Sequence, residues 1–161
     1  MSGNMLPSEV RQALLPASEG VTLVITVGNT LRSDDGAGPC IAGAIVEPRR
    51  GVRILDAADR PENCIDEAVE CRPAKTVIID AADFQGTPGE VRLIPEDLIP
   101  AAPLSTHSFP LPVIAKILAE ETGSRVYFIG IQPKSVDFGE TLSPEVSAAV
   151  LEIIRLLGKK E

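Results

Sequence analysis

The chain is expected to fold as an α/β three-layer sandwich, a five-stranded, mostly parallel sheet with helices on both faces. Three observations predict this. Apolar runs of strand length alternate with helical patterns along the chain. Aromatic residues make up 3% of the sequence against 44% hydrophobic residues in all, so the core must be built from Val, Ile, Leu and Ala, the composition of buried parallel strands. Finally, 161 residues suit one domain, which buries roughly 70% of the surface of its unfolded chain around a single core.

Residues 1–20 form a lead-in, expected to contain a short helix with Ser8 as a possible cap and Pro16 as its stop, and expected to be dispensable to the chemistry. Residues 21–161 form the single α/β domain. Its first strand is the run Thr22-Leu-Val-Ile-Thr-Val27, followed by a helix from Ala37 to Val46 that stops before Pro48. Val52 to Asp56 reads as the second strand. Pro61 can open a helix reaching about Glu70, and Lys75 to Asp80 makes a buried third strand. Gly89 to Ile94 alternates polar and apolar residues, the pattern of a half-exposed edge strand that can run antiparallel. A helix from Pro110 to Thr122 is stopped by Gly123, and Arg125 to Ile131 is a last buried strand. Ser143 caps the final helix, Pro144 takes its first position, residues including Leu151, Ile154 and Leu157 supply its apolar face, and Gly158 follows its end.

Composition narrows the function. A formal net charge of −8 opposes binding to a phosphate backbone, so nucleic acid is not expected as a partner. No run approaches the ~18 apolar residues of a membrane span, and Glu9, Arg11 and Glu19 interrupt any signal peptide, so the protein is expected in the cytoplasm without membrane insertion. Cys40, Cys64 and Cys71 include no C-x-x-C pair and read as reduced, small apolar side chains.

Ligand sites of open α/β sheets lie beyond the carboxyl ends of the strands. The first strand runs into Gly28-Asn-Thr-Leu-Arg-Ser-Asp-Asp-Gly-Ala-Gly38, the second ends at Asp56 and the third at Asp80. The glycine spacing fits neither dinucleotide nor P-loop signatures, and the adjacent Asp34 and Asp35 would repel a polyanion. The two acids are compatible with a cation site or with a turn and cap at a helix N-terminus. His107, the only histidine, lies in Ser105-Thr-His-Ser-Phe-Pro110 and is compatible with a surface role or with metal binding. An imidazole and two carboxylates suit a borderline divalent ion and leave coordination positions open.

In combination the motifs are more specific. Val27-Gly-Asn29, Ser33-Asp-Asp-Gly-Ala-Gly-Pro39, Pro61-Glu-Asn63, Asp80-Ala-Ala-Asp83, Pro88-Gly-Glu90, Thr106-His107 with Pro110-Leu111, and Gly130-Ile-Gln-Pro133 occur in order from about Val24 to Leu157. The chain thereby resembles the hydrogenase maturation endopeptidases, in particular the branch acting on formate-hydrogenlyase-type hydrogenases. The resemblance implies an aspartic-type endopeptidase that removes the C-terminal peptide of a [NiFe]-hydrogenase large-subunit precursor. It also implies that the recognised nickel is supplied by the precursor, with no organic cofactor. Carried over by motif, Asp35, Asp80 and His107 are the metal-contacting and catalytic residues, and Asp56 is a substrate-binding acid. The family often has two glycines after that acid, where this chain has Ala57 and Ala58. Two other readings are a non-catalytic metal-checking or chaperone module for the precursor, and a small nucleotide-binding domain lacking its phosphate motif.

Overall fold

A computed structural model describes residues 6–99 and 110–160. Five strands form one sheet among them: β1 (Thr22–Thr26), β2 (Val52–Asp56), β3 (Lys75–Ala81), β4 (Val91–Ile94) and β5 (Arg125–Ile131), in the spatial order β2-β1-β3-β5-β4. β4 pairs antiparallel with β5 at one edge and the other pairings are parallel. The expected architecture is therefore present, including the antiparallel edge strand.

The helices α1 (Ser8–Leu14), α2 (Ala37–Ala44), α3 (Ile65–Cys71), α4 (Leu111–Thr122) and α5 (Pro144–Leu157) divide between the two faces. Alternation along each strand decides which residues meet them. Val24, Val77, Ile79, Ile129 and Ile131 pack with α1, α2 and α5, whereas Leu23, Ile25, Ile78 and Phe128 pack with α3 and α4. Both cores are almost wholly aliphatic, as the composition requires.

Several local expectations are refined. Pro7, not Ser8, occupies the N-cap of α1, and no side chain caps that helix. It still ends at Leu15, whose extended conformation is imposed by Pro16. Val10 and Leu14 are fully buried, and covering each contributes about 1.5–3 kcal/mol. The third helical segment begins as a tight 3₁₀ turn over Pro61–Cys64 before α3 proper. On α5 the buried stripe is Val146, Ala149, Val150, Ile153, Leu156 and Leu157, so Leu151 faces outward and Ile154 is partly buried. Ser143 caps α5 as expected, accepting a hydrogen bond from Val146 N at 3.3 Å.

Strand order positions the site. From β1 the chain crosses to β2 on one side and then to β3 on the other, so connections leave the carboxyl ends of β1 and β3 in opposite directions. A crevice opens at such a reversal.

Candidate active site

β1 hands over to its loop through a close approach of backbone segments. Val27 N donates to Ile79 O of β3 at 2.9 Å, and Gly28 N donates to Ala58 O at 2.7 Å. A Cβ at Gly28 would lie 2.0 Å from Asp35 O, so only glycine fits there. A Cβ on Gly38 would likewise lie 2.5 Å from Val27 O. These glycines serve packing of the turn and of α2 against β1, which accounts for their failure to match a phosphate signature.

The loop then folds back through a 3₁₀ turn at Ser33–Gly36. Asn29 N meets both Asp35 O at 3.2 Å and Asp35 Oδ2 at 2.9 Å, so the Asp35 side chain is tied to the end of β1. Asp35 is 0% exposed. Asp80 is 2% exposed and stands one residue before the end of β3, directly after the Ile79 that pairs with β1. The fold thus brings Asp35 and Asp80 to the carboxyl ends of neighbouring strands, at the point of reversal.

Asp34 has a different task. Its Oδ2 accepts from Lys134 N at 2.8 Å, Ser135 N at 3.3 Å and Ser143 Oγ at 2.9 Å, and its Oδ1 accepts from Ser143 N at 2.7 Å. This buried carboxylate binds the first loop to the turn after β5 and to the cap of α5. Of the two acids in the Asp-Asp pair, Asp34 is the one with a structural role: it caps no helix itself but holds Ser143, the residue that caps α5.

Asp56 ends β2 on the far side of β1. It is exposed, and its Oδ1 accepts from Thr26 Oγ1 at 3.3 Å and from Ala58 N at 2.9 Å. Ala58, where the family often has glycine, adopts φ +50°, a left-handed conformation that disfavours a side chain. Ala58→Gly is expected to stabilise the fold by about 1 kcal/mol, read as a melting temperature a few degrees higher.

His107 lies outside the described residues, and among the described residues no three His, Cys, Asp or Glu side chains form a metal-sized group. Cys64 is buried and its thiol is pushed up to about 11 by that burial, with Glu67 and Asp56 adding to the effect, an environment that disfavours the thiolate. Cys40 is exposed rather than packed in the core, and Cys71 is partly buried.

The Gly130-Ile-Gln-Pro133 motif contains a residue whose structural role the motif alone does not give. Gln132, 7% exposed, accepts from Phe84 N and Gly86 N through Oε1 and donates to Asp83 Oδ1 through Nε2, fastening the segment that leaves β3. The Gln85 N–H and then Gln132 hold the Asp83 carboxyl below the usual range. The available signal was an amide side chain directly after an apolar strand. A cavity of about 380 Å³, lined by Ile94, Ala115 and Phe128, lies against the amino-terminal half of β5, away from the strand ends that carry the acids.

A family model described as hydrogenase maturation protease matches residues 43–159. The hydrogenase 3 maturation protease of Escherichia coli is 35% identical over 137 residues, spanning 84% of this chain and 87% of the relative. The chain belongs to the hydrogenase maturation protease family. Solved structures agree on the fold. The [NiFe] hydrogenase maturation protease HycI from Thermococcus kodakarensis superposes with a TM-score of 0.77 at 26% identity, covering 92% of this chain and 95% of its own. The solution structure of the Escherichia coli endopeptidase HycI gives 0.74 at 35% identity, covering 84% and 87%. As a hydrogenase maturation protease the chain is an endopeptidase. No helix among the described residues is long and apolar enough to cross a membrane.

Proposed function

We propose that this hydrogenase maturation protease removes the C-terminal peptide of a [NiFe]-hydrogenase large-subunit precursor after nickel insertion, and that it reads the nickel itself. The observation that supports the reading is the pair Asp35 and Asp80, both withdrawn from solvent at adjoining strand ends where the sheet connections diverge. Removing carboxylates from water is costly, and an incoming cation offsets that cost. Oxygen donors with an imidazole from His107 suit a borderline divalent ion such as nickel.

The nickel in this reading is part of the substrate. Asp35 is held by Asn29 N and Asp80 by its place in β3, so both present fixed oxygens to a centre that arrives with the precursor. Holding that centre fixes the peptide bond beside it, and orientation is a large part of the acceleration a peptidase needs. Hydrolysis adds water across the carbon–nitrogen bond: the attacking water gives up a proton and the departing amine gains one. Carboxylates at the strand ends are suited to that transfer. Asp56, with Oδ1 occupied by Thr26 and Ala58, orients the substrate tail from the β2 side. The reaction belongs in the cytoplasm in this reading, where free thiols such as Cys40, Cys64 and Cys71 stay reduced.

The test is the intact mass of a purified large-subunit precursor, with and without nickel, after incubation with the protein or its His107→Ala variant. Loss of a C-terminal peptide only with nickel and only with His107 present supports the reading. An unchanged mass for a nickel-loaded cognate precursor would replace it by the non-catalytic docking module.

A further inference from the structure

Two exposed apolar side chains stand on the loop that carries Asp35 and on the neighbouring loop bonded to it. Phe138 is 87% exposed and Leu31 is 46% exposed. Their loops are stitched together: Gly139 N donates to Leu31 O at 2.9 Å, Ser33 N donates to Gly139 O at 2.8 Å, and Arg32 and Gly139 form a parallel bridge. Leu31 and Phe138 therefore hold equivalent positions, one residue before the bridged pair.

The backbone around Phe138 is fixed on both sides. Val136 O accepts from Arg32 Nε at 3.2 Å, Asp137 O accepts from Ser33 Oγ at 2.7 Å, and Asp137 N donates to Ser135 Oγ at 3.1 Å. The same two loops are joined beneath by the buried Asp34 carboxylate. A phenylalanine held in water by a well-bonded loop gains nothing for the fold from its ring. Its backbone, however, is already held in place, so docking on another surface loses little main-chain conformational entropy there. Large aromatic side chains of this kind dominate interface energetics.

We propose that Leu31 and Phe138 form an apolar anchor for the hydrogenase large-subunit precursor, seated on non-polar surface of that precursor while its C-terminal segment lies over Asp35 and Asp80. The inference rests on the precursor being the substrate. Continuity argues for this occupant: Leu31 belongs to the same short loop as Asp35, which Asn29 closes, and the Phe138 loop is bonded to it, so a partner engaging that acid comes to the end of the sheet where these two side chains stand. Val46, 91% exposed, stands before β2 at the opposite end of the sheet and serves as the control.

The experiment measures binding and cleavage separately, using nickel-loaded large-subunit precursor from the same source. Phe138→Ser and Leu31→Ser should each weaken binding about tenfold or more, with a matching loss in kcat/KM and little change in kcat at saturating precursor. Val46→Ser should match wild type, and all three variants should melt as wild type does. Precursor binding that is unchanged in both Phe138→Ser and Leu31→Ser overturns the anchor. Precursor that wild type binds but does not cut removes the proteolytic reading alone, and the binding ratios still decide the anchor. Absence of any binding by wild type overturns both.

Discussion

Asp80→Asn is expected to reduce cleavage of nickel-loaded precursor on the order of 10²–10⁴-fold while leaving the melting temperature close to wild type. Asparagine preserves size and one carbonyl oxygen, so the end of β3, with its ladder to β5 and the Val27 bond to Ile79, has no reason to move. What disappears is a negative oxygen buried at the reversal of the sheet. Single-turnover measurement of the released peptide against denaturation curves separates the two effects. Near-normal turnover would remove Asp80 from the mechanism, and a large fall in stability would recast it as a structural acid.

Asp34→Ala is expected to do the opposite, acting on stability first. The substitution strands Lys134 N, Ser135 N and Ser143 N in a region where the carboxylate is 1% exposed, and it also removes the partner of the capping hydroxyl. Leaving one buried donor unsatisfied costs about 1–3 kcal/mol, and a hydrogen bond to a charged acceptor contributes about 1.5–3 kcal/mol. For a chain of this length a loss of about 1–3 kcal/mol corresponds to a drop in melting temperature of roughly 2–12 °C. Asp35→Asn provides the contrast, since the amide carbonyl can still accept from Asn29 N and the fold should persist while turnover falls. Equal melting temperatures for Asp34→Ala and wild type would show that these loops are held by other contacts.

Element order, the antiparallel edge and the carboxyl-end placement of the acids were legible because each rests on local pattern. Buried strands such as Thr22–Thr26 and Arg125–Ile131 are continuous apolar runs, and Ser143-Pro144 marks a helix start through side-chain and φ preferences that need no tertiary partner. Less legible was whatever depends on residues distant in the chain. Nothing local to Ser33-Asp-Asp-Gly distinguishes Asp34 from Asp35, because the groups that claim Asp34 lie at Lys134, Ser135 and Ser143. The role of Gln132 is hidden for the same reason, since its partners sit at Phe84 and Gly86. The face of α5 was misassigned in part because its sequence is apolar around much of its circumference, and only docking on the sheet selects Val150 and Ile153 over Leu151.

The bonds from Asp34 to Lys134 and Ser143 span about a hundred residues of chain, and they bear on the order of assembly. Contacts of such separation form late, after the intervening segments are available and collapsed. During synthesis the amino-terminal βαβ portion can emerge and pack while the loop carrying Asp35 still lacks its clasp. The enzyme is therefore expected to gain its cutting geometry only when the last helix has left the ribosome and docked. A nascent or C-terminally shortened chain would hold every proposed catalytic residue and yet remain inactive.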